Sequence, residues 1–125
     1  MKFSNMERLS KEQSEDKEHN GDIVLTRLTT KLGGMIFPGG AKINIRRRIV
    51  YHSPTGFEFG YGGSGPADLA LNILYLFLDF PRAWKLHKSF KWDFIAVMSK
   101  SGGIITAAEI KEWIKKKLIH LTSNR

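Results

Sequence analysis

The chain has 125 residues, 42% of them hydrophobic, with 20 Lys+Arg against 12 Asp+Glu for a formal net charge of +8, and it has no cysteine. That length fits one domain, and the hydrophobic fraction is too high for a disordered chain. The missing thiols exclude a disulfide scaffold, a cysteine nucleophile and a thiolate zinc site.

The longest apolar segment, Pro66 to Phe80, is shorter than the ~18–20 residues of a membrane-spanning helix. No basic start followed by an apolar run marks a signal peptide, so a cytoplasmic protein is expected.

Charge divides the chain. Residues 1–22 hold four basic and six acidic groups, so the remaining 103 residues hold 16 basic and six acidic, a net of +10. From Ser10 to Asn20 there is no apolar residue, and such a stretch cannot offset its ordering entropy. Residues 1–21 are therefore expected to be a polar tail, and 22–125 a single basic domain.

Ile23 to Leu32 is rich in threonine and reads as a strand. Gly33-Gly34 and Pro38-Gly39-Gly40 bracket the short apolar piece Met35 to Phe37 and read as turns. From Lys42 to His52 the pattern alternates. Ile43, Ile45, Ile49 and Tyr51 share one face, with Arg47 as an intruder, while Lys42, Asn44, Arg46, Arg48 and His52 share the other. Ser53-Pro54-Thr55-Gly56 has turn residues in type I order. With Gly56 as a left-handed bulge, the returning strand gathers its apolar side chains on one face, so a hairpin at about 42–61 is expected, with His52 opposite Glu58.

Three helices follow in the pattern. The first, at about 66–80, is apolar nearly all round except for Asp68 and Asn72, which marks it as the centre of the core. The second, at about 82–99, carries the apolar stripe Ala83, Leu86, Phe90, Phe94 and Val97. On its far side Trp84, Lys85, Lys88, Lys91, Trp92 and Ile95 interleave. Gly102-Gly103 breaks the chain, and Thr106-Ala107-Ala108-Glu109 is a capping box opening a third helix at about 107–119, with Ile110, Trp113, Ile114 and Leu118 inward. The expected class is α+β, an antiparallel sheet followed by three helices.

Gly60-Tyr61-Gly62-Gly63-Ser64-Gly65 fits G-x-G-x-x-G at a strand-to-helix junction. A dinucleotide site needs a parallel βαβ unit, which the pattern lacks. A P-loop needs a lysine where Pro66 stands, and no nucleophile elbow surrounds Ser64. Two readings stay open. The glycines make a tight turn against a crowded core, or Gly62, Gly63, Ser64 and Gly65 form an anion-binding turn at the helix start.

The stretch Gly56-Phe57-Glu58-Phe59-Gly60-Tyr61-Gly62-Gly63-Ser64-Gly65-Pro66-Ala67-Asp68-Leu69-Ala70 resembles the signature of a small uncharacterised domain family of bacteria, archaea and their viruses. Its motif looks like G-F-E-W-G-Y-G-G-S-G-P-A-x-L-A, followed by a C-terminal capped helix containing Trp. Phe59 stands where that family usually has Trp, so no indole N–H is available there. The resemblance implies a domain boundary that leaves out the N-terminal tail, and a viral or mobile-element origin. It implies no activity.

His19, His52, His87 and His120 are scattered, without an i, i+4 pair for a metal. Asp68 and Asp79 lie at the two ends of one helix, and Glu109 and Glu112 serve a capping box and an exposed turn. Without paired carboxylates, a thiol or a Ser–His arrangement, no enzyme, metal or cofactor is expected.

Binding fits the residues better. Lys42, Arg46 and Arg48 on the hairpin, with Trp84, Lys85, Lys88, Lys91 and Trp92 on the second helix, form a basic and aromatic set. Such a set can hold phosphates and stack on bases. The expected function is a binding module for nucleic acid, DNA or RNA. The alternatives are docking on a host protein through the tryptophans, a homodimer that covers them, or a small phosphorylated ligand at the glycine-rich turn.

Overall fold

The computed structural model describes residues 21–123. The expected polar tail, 1–21, lies outside the described residues except for Gly21. The α+β class holds, with one antiparallel sheet and three α-helices. Strand β1 is Ile23–Leu32, β2 is Met35–Ile43 and β3 is Gly102–Ile105, in the order β2-β1-β3. The helices are α1, Ser64–Leu74, α2, Phe80–Phe90, and α3, Ala107–Ser123, and a π-helical turn, Lys91–Ile95, continues α2. Gly21 to Ser123 therefore interleaves sheet and helix, because β3 falls between α2 and α3.

The hairpin forms earlier than the alternation predicts. β1 turns into β2 through Gly33 and Gly34, whose φ of 59° and 79° suits the left-handed two-residue turn that matches strand twist. Leu32 faces Met35 across it, and pairing continues to Leu25 opposite Ile43. Pro38-Gly39-Gly40, read as a turn, instead lies within β2. As an edge strand, β2 tolerates a proline, and the register shifts there between Arg27 and Thr29.

The hairpin expected at 42–61 is not formed, since residues 44–63 carry no strand. Side chains of α1 take up this segment's backbone instead. The Asp68 carboxylate accepts from the N–H of Tyr51, His52 and Ser53, at 2.8 Å for the last two. One turn on, Asn72 Oδ1 accepts from the N–H of Arg48 and Ile49, and its Nδ2 donates to the carbonyl of Ile49. Both side chains are buried, so the two strongly polar residues of an apolar helix replace a neighbouring strand as hydrogen-bond partner.

Helix α1 is the core, with Leu69, Ala70, Leu71, Ile73 and Leu74 fully buried. It packs among Ile23, Leu25 and Ile105 of the sheet, Ala83, Leu86 and Phe90 of α2, and Ile110 and Ile114 of α3. The helix ends at Leu74 rather than near Phe80, and Pro81 lies in the first turn of α2. Asp79 is its N-cap, accepting from the Arg82 N–H at 3.1 Å.

Within the second helix the π-turn changes which side chains point inward. The Ala96 N–H donates to the Lys91 carbonyl at 2.8 Å, five residues back, so one residue is inserted into the α-helical phase. Ile95, expected on the outer face, is fully buried, whereas Val97, expected in the core stripe, is 72% exposed. Gly102-Gly103 is a strand rather than a break. A Cβ at Gly102 would stand 2.2 Å from the Leu25 carbonyl oxygen, so only glycine lets β3 approach β1 there. Thr106 Oγ1 accepts from the Glu109 N–H at 3.1 Å, as its capping-box position predicts.

Candidate functional site

Lys85, Lys88 and Lys91 follow one another at three-residue spacing along α2 and its continuation, so neighbouring members share a helix face. Lys85 and Lys88 are exposed and border a cleft of about 410 Å³ with Pro81, Trp84 and His87.

Trp84 is engaged by its own protein. His52 stacks on it with ring centroids 5.8 Å apart and planes 5° from parallel, Phe80 lies at 6.1 Å, and Tyr51 meets its edge at 4.5 Å. This leaves Trp84 organising an aromatic cluster rather than offering a bare ring.

Inside the cluster His52 Nε2 lies 3.0 Å from His87 Nε2, and His87 Nδ1 lies 2.6 Å from the Trp84 carbonyl oxygen. A carbonyl can only accept, so Nδ1 of His87 carries a proton. The neutral ring then accepts at Nε2, and His52 donates from its own Nε2. Burial holds the His87 imidazole below its ordinary range, against the opposing pull of the Trp84 carbonyl. The predicted pairing of His52 with Glu58 is thus replaced by a histidine pair, because without a hairpin the segment turns His52 toward α2. Glu58 pairs with Arg27 at 3.0 Å. No three His, Asp or Glu side chains among the described residues are grouped to hold a metal ion.

Trp92 is 56% exposed, and the Lys91 ammonium sits 4.3 Å over its ring. The ring rests on the glycine-rich turn, where a Cβ at Gly62 would stand 2.2 Å from the indole. At the next residue, a Cβ at Gly63 would stand 2.4 Å from the Tyr61 ring, and Tyr61 is itself half exposed. Gly63 is the N-cap of α1. Gly60, with φ of 88°, donates its N–H to the Ile95 carbonyl at 2.9 Å, tying the turn to the π-helical segment.

Gly65 is closed on its side by the Cβ of Glu58, 2.9 Å from where its own would be. Aromatic rings and Glu58 therefore fill the space that Gly62, Gly63 and Gly65 leave open, which accounts for these glycines by packing. Ser64 is exposed beside them.

The structure thus brings Lys91 and Trp92 onto the glycine-rich turn, with Lys88 and Lys85 leading away along α2. It does not gather Lys42, Arg46 and Arg48 on a hairpin face, because that hairpin is absent. Lys42 belongs to β2, opposite Thr26, while Arg48 lies in the segment held by Asn72.

Sequence reasoning missed Tyr61 and Lys100 as surface neighbours of the turn, and Arg27 as its anchor. Arg27 Nε donates to the Lys100 carbonyl at 2.7 Å and Nη1 to the Gly39 carbonyl at 3.0 Å, and the guanidinium covers the Phe59 ring at 4.4 Å. Beside it opens a cleft of about 590 Å³ lined by Glu58, Tyr61, Lys100 and Ser101 among others. Tyr61 carried a signal, since an aromatic between two glycines has no bulky neighbours in sequence to cover it. Arg27 carried none, because its partners lie up to 73 residues away.

A model described as a family of unknown function, DUF6166, matches residues 16–116. No curated protein and no solved structure matches the chain. The matched span takes in the whole sheet, α1, α2, the glycine-rich turn and most of α3. The chain belongs to the DUF6166 family of unknown function.

Proposed function

We propose that this chain is a non-enzymatic module that binds single-stranded nucleic acid. The observation that carries the reading is Trp92, an exposed indole seated on the backbone at Gly62 with the Lys91 ammonium against it. Tyr61 lies beside it on Gly63. A ring seated on backbone and still 56% exposed is held in place for an unpaired base to stack on its exposed surface. Such stacking tolerates any sequence, because every base has a π-face. Lys91, Lys88 and Lys85 continue the surface as point charges suited to a phosphate chain, within a part of the chain that carries a net +10. Bases locked in a duplex would not be available to Trp92, which favours the single strand.

The test is fluorescence anisotropy with labelled single-stranded DNA and RNA across a salt series. Affinity should fall steeply with salt. Trp92→Ala should weaken binding roughly 5- to 150-fold, the equivalent of one lost stacking contact. Replacing Lys85, Lys88 and Lys91 with alanine should flatten the salt slope by about 2, near 0.7 per phosphate contact. No binding to any oligonucleotide at ~50 mM salt, or unchanged affinity in Trp92→Ala, overturns the proposal.

A further inference from the structure

Cross-strand partners share a face of a sheet, so the register assigns each residue of the β1–β2 hairpin to a side. Ile23 and Leu25 face the helices and are buried. The opposite face carries Leu28, Leu32, Met35 and Phe37, each between 44 and 70% exposed, and continues through Val24 to its β3 partner Ile104, exposed to 60%. β3 pairs with β1 only as far as Thr26, so from Leu28 onward the hairpin projects as a two-stranded arm. Apolar side chains so placed gain nothing for the monomer's own core.

We propose that this uncovered sheet face is where two copies of the chain meet, face to face about a two-fold axis. The first argument is area. Leu28, Leu32, Met35, Phe37 and Ile104, each between 44 and 70% exposed, together leave on the order of 600 Å² accessible, counted over whole residues with their backbone. The largest apolar patch on an ordinary monomer covers about 300–600 Å², and each partner in a standard interface contributes about 800 Å². With Val24 and the intervening threonines included, the face approaches the size of one side of an interface.

The second argument is charge. From Leu28 to Ala41 the sequence has one charged residue, Lys31, and Lys31 pairs with Ile36 on the opposite face of the arm. Arg27 is likewise turned to the other side and paired with Glu58. Lys42 is the one cation that the register places on this face. Two domains of +10 repel wherever their lysines meet, and here they can approach with almost none in between. A nucleic acid, by contrast, would find Lys42 as its one cationic contact on this face among the described residues. Two such faces would pack as the layers of a sandwich, about 10 Å apart.

Sedimentation velocity on the full chain, without nucleic acid and over ~1–100 μM, tests the proposal. The expected mass at the upper end is twice the 14.2 kDa of one chain. Leu32→Lys with Phe37→Lys should weaken association at least ~100-fold while circular dichroism stays put, as does the melting temperature measured at concentrations too low for association, since both side chains are exposed in the single chain. Met35→Lys provides a second, milder disruption beside the turn. Ile36→Lys, on the opposite face of the arm, should leave the dimer intact.

A monomer at every concentration overturns the proposal, including one whose arm instead takes up lipid vesicles or another protein. A dimer that survives the Leu32/Phe37 change overturns it too, as does one that Ile36→Lys breaks equally well. A monomer that still binds oligonucleotides refutes the dimer and leaves the nucleic-acid reading standing.

Discussion

Asp68 offers the sharpest test of how this fold is held. It is fully buried in α1, and its carboxylate is the shared acceptor for the backbone N–H groups of Tyr51, His52 and Ser53. Asp68→Ala leaves those donors facing a small cavity with no acceptor. Hydrogen bonds to a charged group contribute about 1.5–3 kcal/mol each, and an orphaned buried donor costs about 1–3 kcal/mol. Some of the segment will relax toward water, so a loss of about 3–5 kcal/mol is expected, at the large end for single substitutions. For a domain near 100 residues this lowers the melting temperature by at least ~12 °C.

Asp68→Asn keeps one acceptor oxygen but turns an NH₂ toward the remaining N–H donors, and should lose about half as much. Urea denaturation gives the free energies, and hydrogen exchange at residues 51–53 reports whether the local segment is what loosens. Asn72→Ala should act on the same segment through Arg48 and Ile49, so the double variant should lose less than the sum of the singles. A loss below ~1 kcal/mol for Asp68→Ala, with exchange at residues 51–53 unchanged, would refute the view that α1 organises this stretch.

Three further outcomes follow from the same geometry. Arg27→Lys retains charge but cannot reach the Lys100 and Gly39 carbonyls and Glu58 together; a loss of about 2 kcal/mol is expected in denaturant melts, and near-full retention by lysine would show that charge alone suffices there. Folding holds the His87 imidazole below its ordinary 6.5, so the unfolded chain binds its proton first as pH falls. Stability should be level above about pH 7 and decline from about pH 6.5 down through the folded value, and His87→Gln should flatten the decline. Thr106→Ala removes the acceptor for the Glu109 N–H and should cost about 1 kcal/mol by thermal melting.

Some of this molecule was legible in its sequence. The threonine-rich run at Ile23, the apolar helix behind the glycines and the Thr106 cap each rest on chemistry within a few residues, and each appears in place. The errors share a different cause. Between Lys42 and Tyr61 the alternation and the type I turn are real local signals, yet they lost to acceptors supplied from α1. Asp68 and Asn72, four apart, stand on one face of that helix, and this spacing was the available clue: two buried polar groups in an apolar helix need partners, and an unpaired backbone nearby supplies them. Val97 and Ile95 exchanged roles because an inserted residue in a helix leaves no mark on a periodic pattern. β3 was lost because Gly102 reads as a breaker, whereas its missing side chain is what admits the Leu25 carbonyl.

The three tryptophans show how far residue type alone could carry the candidate site. All three looked like candidates for a partner surface or for the core, and their surroundings now separate them. Trp113 donates its indole N–H to Asp93 at 2.8 Å and meets Phe90 edge-on at 5.1 Å. Trp84 stacks with both His52 and Phe80. Trp92 rests on a glycine, faces solvent and has a lysine as its cationic neighbour. An alanine at Gly62 would displace that indole without removing a charge or a stacking ring. It therefore separates the position of Trp92 from its presence. If oligonucleotide affinity falls in Gly62→Ala about as far as in Trp92→Ala while the melting temperature holds, the turn's glycines serve the binding surface. If affinity is unchanged, they serve the fold alone, and the indole binds without its seat.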